Sequence, residues 1–147
     1  MSNILTYDPS KISVLVNGWK CVALEGVTIA QGVRPFRIVK GINGINTRVR
    51  TQDTSASVTL VVKQTSITND VLSYIYEQDV KYGTGGFNLV IKDEAGTTYF
   101  ATGDASITEL PTVVFNSELT ARSWHITCAS GVVFHVGSNF VPSTSLF

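Results

Sequence analysis

The chain is 147 residues long, with 11 Lys and Arg against 11 Asp and Glu, so its net charge is zero; 15% of residues are charged and 44% hydrophobic. The length suits one domain, 1–147, with a core of its own. Zero net charge excludes a generally basic nucleic-acid binder. Abundant Val, Ile and aromatics exclude a disordered chain, and little repulsion opposes self-association.

β-Branched residues and regularly recurring turn signals predict a mainly β fold. The expected form is an antiparallel β-sandwich or barrel with one short flanking α-helix and a long extended arm. Ile12, Val14 and Val16 alternate with Lys11, Ser13 and Asn17. Asn17-Gly18 suits a type I′ turn, with Trp19 to Leu24 as the return strand. Glu25-Gly26 is expected to break that strand before a short piece at Val27 to Gln31. Phe36 to Lys40 reads as a strand. Gly41-Ile42-Asn43-Gly44-Ile45-Asn46 then opens an irregular segment, about 41–55. In it Thr47, Val49 and Thr51 alternate with Arg48, Arg50 and Gln52, as in an extended arm or a long hairpin tip. Ser57 to Gln64 is a strand with Val58, Leu60 and Val62 on one face.

A helix is expected over about 69–80, with Thr68 or Asn69 as its cap and Asp70 in its first turn. Ile67 would staple onto Leu72, and Val71, Leu72 and Ile75 form the core stripe. Tyr82 to Gly86 ends it. A meander follows. Phe87, Leu89 and Ile91 alternate with polar neighbours, Asp93 to Gly96 turns, and Thr97 to Thr102 returns. Gly103-Asp104 separates off Ala105 to Glu109, and Leu110-Pro111 ends that strand. Val113 to Phe115 is a short apolar run. Leu119 to Ser130 reads as a long strand, Gly131 turns, Val132 to Val136 pairs back, and Gly137 to Phe147 is a tail. The stretch from Ser123 to Phe147 lacks any charge, but its Ser, Thr, His and Pro content does not suit a membrane-spanning helix.

Few residues call for chemistry. Cys21 and Cys128 lie far apart in no CxxC pattern and read as buried thiols. The first residues lack the basic and apolar regions of a secretory signal. His125 and His135 fall on adjacent expected strands, without a third ligand at metal spacing. Asp93-Glu94 sits in a turn. Gly83 to Gly86 follows a helix, the reverse of a phosphate cradle. No nucleophile elbow is present. Neither an enzyme, nor a cofactor, nor a metal is expected.

Charge placement is more informative. Arg34, Arg37, Lys40, Arg48 and Arg50 share a run with no acid from Gly26 to Gln52, and Asp93, Glu94, Asp104, Glu109 and Glu118 share one with no base. A basic arm on one copy meeting an acidic edge on the next is a heterologous interface, which closes into rings or propagates. Nucleic-acid binding by the basic run is weaker, since Phe36 is its one aromatic. At the termini, Leu5, Tyr7, Phe140, Val141, Leu146 and Phe147 are apolar or aromatic groups that need cover.

Three stretches carry a resemblance. They are Tyr7-Asp8-Pro9-Ser10-Lys11 with Ile12 to Gly18, the arm Gly41 to Arg48, and Thr54 to Leu60 followed by Ser66-Ile67-Thr68-Asn69-Asp70. On these the chain resembles, over nearly its full length, the tail-tube proteins of contractile-tailed bacteriophages, which are similar to the hexameric ring proteins of type VI secretion. The resemblance implies six copies per ring and rings stacked into a hollow tube that conducts DNA during ejection. It implies an arm, with Ile42, Ile45, Thr47, Arg48, Val49 and Arg50, that reaches a neighbour, and termini that join contacts between rings. The implied partners are further copies, a tail sheath protein, a tape measure protein, and baseplate or terminator proteins. DNA passes through without specific binding, and no membrane anchor is involved. The implied location is the virion tail, assembled in the host cytoplasm. Two alternatives stand beside this: a terminator or baseplate hub ring, and a small all-β ligand-binding module using Trp19 and Trp124.

Overall fold

In the computed structural model, which describes residues 7–84 and 86–139, a 3-10 turn at Pro9–Lys11 enters β1 (Ile12–Val16). Asn17 and Gly18 take φ of 49° and 82°, the positive values a type I′ turn needs. The return strand β2 is only Trp19–Lys20. It stops short of Leu24 because the chain crosses there to the opposite edge of the sheet. Ala23 makes that crossing in the left-handed region, at φ 55°. β3 (Leu24–Gln31) then pairs along its length with β6 (Ala56–Val62). Glu25 is a bulge and not a break, since the register shifts between Leu24 and Gly26.

Between them, β4 (Phe36–Lys40) and β5 (Asn46–Arg50) form a separate two-stranded sheet. Of the two forms expected for the 41–55 segment, the hairpin is the one observed: a third of it, β5, is the second strand of a hairpin that begins at Phe36.

β7 (Phe87–Asp93) and β8 (Tyr99–Glu109) follow the helix. β8 is one strand where two were expected. Phe100 and Thr102 are buried, then Ala105 and Ile107. The inward phase flips across Gly103-Asp104, where β7 pairing also slips a residue. A bulge that inverts the alternation looks like a break in sequence. β9 is Arg122–Cys128, shorter than the expected strand from Leu119, and Val113 to Phe115 lies in the loop before it. β10 (Val133–His135) pairs with β8, not back onto β9.

The large sheet is antiparallel, in the order β2-β1-β7-β8-β9-β6-β3 with β10 on β8. Val14, Leu89 and Phe100 from one half and Val58, Leu60 and Ile126 from the other join a single buried cluster. The chain is thus a mainly β sandwich with one helix.

That helix, α1 (Thr68–Tyr82), starts and ends slightly beyond the expected span. Neither Thr68 nor Asn69 is the cap: Ile67 holds the N-cap position without a side-chain bond, and Ser66 before it accepts the Thr68 N–H on its Oγ at 3.1 Å. Thr68 and Asn69 are buried and anchor the helix to the sheet. The Thr68 hydroxyl accepts the Val22 N–H and donates to the Val22 carbonyl, both at 2.9 Å. Asn69 Nδ2 donates to the Lys63 and Ser66 carbonyls, and its Oδ1 accepts Trp124 Nε1–H at 3.0 Å. Ile67 is exposed, so the expected staple does not form. At the other end Gly83 takes φ 61° and its N–H reaches the Asp79 carbonyl at 2.7 Å, a left-handed stop.

Candidate functional site

The feature that sets this chain apart from a plain sandwich is the β4–β5 hairpin. β3 and β6 end paired at Gln31 and Ala56, and the two chains leave the sheet together. The Gly32 N–H bonds the Ser55 carbonyl at 2.9 Å, and the Thr51 N–H bonds the Pro35 carbonyl at 2.7 Å. A side chain at Gly32 would meet Ser55 Oγ at 2.5 Å, so the root requires glycine. The loop closes where the Gly41 N–H meets the Ile45 carbonyl at 2.8 Å.

Register assigns the faces. Phe36 opposes Arg50, Ile38 opposes Arg48, and Lys40 opposes Asn46, so these six share one face. Arg37 with Val49, and Val39 with Thr47, take the other. The Arg48 guanidinium lies 3.7 Å from the Phe36 ring centre, a cation–π contact that holds both side chains. Every residue of β4 is exposed, and in β5 only Val49 is half-buried. Ile42 is fully exposed and Ile45 is 69% exposed. A lone two-stranded hairpin is at best marginally stable in water. Here Phe36, Ile38, Ile42 and Ile45 find no cover among the described residues.

The five acids do not gather into one surface. Asp93 is only 4% exposed; it accepts the Ala95 N–H at 3.0 Å and Asn139 Nδ2–H at 2.6 Å. Beside it, Glu94 accepts the Ser13 hydroxyl at 2.8 Å. Asp104 accepts the Ser130 hydroxyl at 2.7 Å. These three tie turns together. Glu109 and Glu118 stand elsewhere, Glu109 at the end of β8 and Glu118 within the 110–121 loop. Of the terminal residues, Tyr7 is exposed and lines a cavity of about 520 Å³ together with Ile12, Leu24, Val27 and Ile91. Leu5, Phe140, Val141, Leu146 and Phe147 lie outside the described residues.

In sequence the chain is similar to a phage structural protein. Structural protein ORF10 of Pseudomonas phage KPP10 is 28% identical over 152 aligned positions, covering 95% of this chain and 88% of that protein. In fold it is similar to a chain in the virion of a native gene transfer agent particle. That match has a TM-score of 0.62 at 11% identity, covering 89% of this chain and 100% of the other. It is also similar to a chain in the sheath/tube terminator of an extracellular contractile injection system, PVC, in the extended state. There the TM-score is 0.58 at 14% identity, over 92% of this chain and 100% of the other. No family model matches the chain.

The residues that suggested other chemistry are accounted for in the fold. His125 lies opposite Thr59, with its Nδ1 3.3 Å from Thr59 Oγ1, whereas His135 lies opposite Tyr99. They do not face each other, because β10 pairs with β8 and not with β9. Cys21 and Cys128 are buried free thiols, and burial pushes both up to about 11, with the Asp104 charge adding to the effect at Cys128. A thiol so shifted is a poor nucleophile. Trp124 is buried against Asn69 and offers no ligand platform. The sequence reading missed the 110–121 loop as a surface. Its signal was present in Leu110, Val113, Val114, Phe115 and Leu119, five apolar residues that the fold leaves exposed.

Proposed function

We propose that this chain is a structural, non-catalytic subunit of a contractile phage-type tail, and within it the tube subunit. Six copies form a ring, and rings stack into a hollow tube through which DNA passes. The single observation that carries this reading is the projecting hairpin. A domain with a core of its own nonetheless extends an exposed, apolar and basic two-stranded arm, which no other described residue of the chain covers. The similarity to ORF10 of phage KPP10 supports the virion setting. Tail sheath, tape measure and baseplate proteins are the proposed partners, with assembly in the host cytoplasm.

A channel that passes DNA must not grip its phosphates. The arginines of the arm therefore belong in protein contacts, and Arg48 is already stacked on Phe36. The lumen is neutral or acidic in this reading. A second reading, a terminator or hub ring, draws on the likeness to the PVC terminator chain. Negative-stain microscopy with light scattering over a concentration series separates the cases. Tubes of uniform width support the tube subunit, single rings support the terminator, and a monodisperse monomer at high concentration overturns both.

A further inference from the structure

A second exposed apolar surface, of opposite charge to the hairpin, lies at the other end of β6 and β9. The 110–121 loop between β8 and β9 leaves Phe115 80% and Leu119 81% exposed, beside Leu110, Val113 and Val114. The loop helps to line a cavity of about 390 Å³, with Leu110, Pro111, Val114, Ala121, Glu109 and His125 among its lining residues. Glu109 and Glu118 are the loop's charges, and the first base after them is Arg122. The hairpin is the counterpart: apolar Phe36, Ile38, Ile42 and Ile45 with Arg34, Arg37, Lys40, Arg48 and Arg50, and no acid. Both surfaces are apolar and exposed, and their charges are opposite.

A copy cannot join its own two surfaces. β6 runs from Ala56, at the hairpin root, to Val62, which pairs with Arg122 at the loop. β9 returns from Arg122 to Cys128, which pairs with Ala56. Seven residues of strand, roughly 20 Å, separate root from loop, and the hairpin's exposure shows that it does not fold back over that distance.

We propose that the β4–β5 hairpin of one copy docks on the 110–121 loop of the next, its Ile42–Ile45 tip against Val114 and its arginines beside Glu109 and Glu118. This rests on the reading that copies assemble, and it identifies the receiving surface. Asp93, Glu94 and Asp104 are not that surface, since each already binds within its own fold. Two different patches at opposite ends make the contact head to tail, so it propagates through the assembly.

Cross-linking tests the contact. An Ile42→Cys variant is mixed with a Val114→Cys variant and oxidised; Cys21 and Cys128, buried and with raised thiol pKa, stay silent. Disulfide dimers are expected in the mixture and not with either variant alone. In parallel, Glu109→Lys with Glu118→Lys should raise the concentration needed for assembly about tenfold. Mixing that variant with Arg48→Glu/Arg50→Glu copies should restore both contacts between unlike copies, Arg on Glu and Glu on Lys, and yield assemblies only in the mixture. Rings or tubes with neither cross-link nor charge dependence overturn the docking and leave the tube reading standing. Cross-linked dimers from a mixture that never forms rings or tubes support the docking and overturn the tube. Monomers throughout, without cross-links, overturn both.

Discussion

Replacing Ile42 and Ile45 together by Asn separates folding from assembly by magnitude. Ile42 is fully exposed and Ile45 is 69% exposed, so neither contributes measurably to the core. Surface changes of this kind alter folding stability by roughly 0.5 kcal/mol or less. Full burial of an isoleucine is worth about 1.5–3 kcal/mol. Half-burial of both at a contact therefore contributes about 2 kcal/mol, and its loss weakens association about 30-fold. Leu72, fully buried on the inner face of the helix, is the control: Leu72→Ala should cost about 2–5 kcal/mol of folding stability. Thermal melting and light scattering over a concentration series read the two effects separately. The tip variant should melt with the wild type and fail to assemble at concentrations where wild type does. A melting temperature lowered by several degrees would show that the tip packs within its own domain. An unchanged assembly threshold would show that the tip is not at a contact, and either result refutes the reasoning.

Arg48→Glu with Arg50→Glu should likewise block assembly while the monomer melts within a few degrees of wild type, the loss being the Arg48–Phe36 contact of roughly 0.5–1 kcal/mol; tubes of normal length would count against the arm. Trp124→Phe should cost about 1–3 kcal/mol in chemical denaturation, because Asn69 Oδ1 loses its buried donor. Ala23→Gly should stabilise the fold by about 1 kcal/mol in the same assay, by removing a left-handed alanine. The thiols set a pH dependence. Their folded pKa of about 11 lies above the ordinary thiol value of 9.0, so unfolding releases protons in that window. Their contribution is complete below about pH 9 and is lost as pH rises toward 11; stability that is flat from pH 8 to 11 would contradict their burial.

The strands were legible wherever burial alternated without interruption. Ile12 to Val16, the β6 run and Phe87 to Ile91 each show the period-two pattern, because one face of each meets the core. Legibility failed where the pattern is inverted or borrowed. At Gly103-Asp104 a bulge flips the inward phase of β8, and local sequence cannot tell a flipped strand from two strands. At Glu25-Gly26 another bulge mimics a break. Thr68 and Asn69 have ideal capping chemistry, but their side chains bind Val22 and Trp124, 46 and 55 residues away. Ile67 takes the N-cap position instead, and Ser66 before it accepts the first helical N–H. The partner of β10 is likewise a matter of topology. The hairpin was half-visible: the Arg48 and Arg50 alternation marked β5, yet nothing local assigned Phe36 to Lys40 as its partner. The charge runs were plain in sequence, but only the fold separates Glu109 and Glu118 from the acids that bind internally.

The open edge of the sheet bears on the same question. β3 ends the strand order, and among the described residues no strand pairs with its outer side. It is eight residues long and contains neither Lys nor Pro. Glu25, at the bulge, is its one charge. A monomeric protein protects such an edge with charge, proline, shortness or cover. β2, at the other end of the order, uses shortness, being two residues long. β3 uses only the bulge, and only at its beginning, leaving Val27 to Gln31 as regular, uncharged edge. Those residues adjoin the root of the hairpin, because Gln31 pairs with Ala56 at the point where both chains leave the sheet. A neighbour drawn in by the arm would thus arrive beside the least protected edge in the molecule. In the assembly proposed here the same encounter covers both, which explains why a neutral chain with a core of its own leaves each of them open.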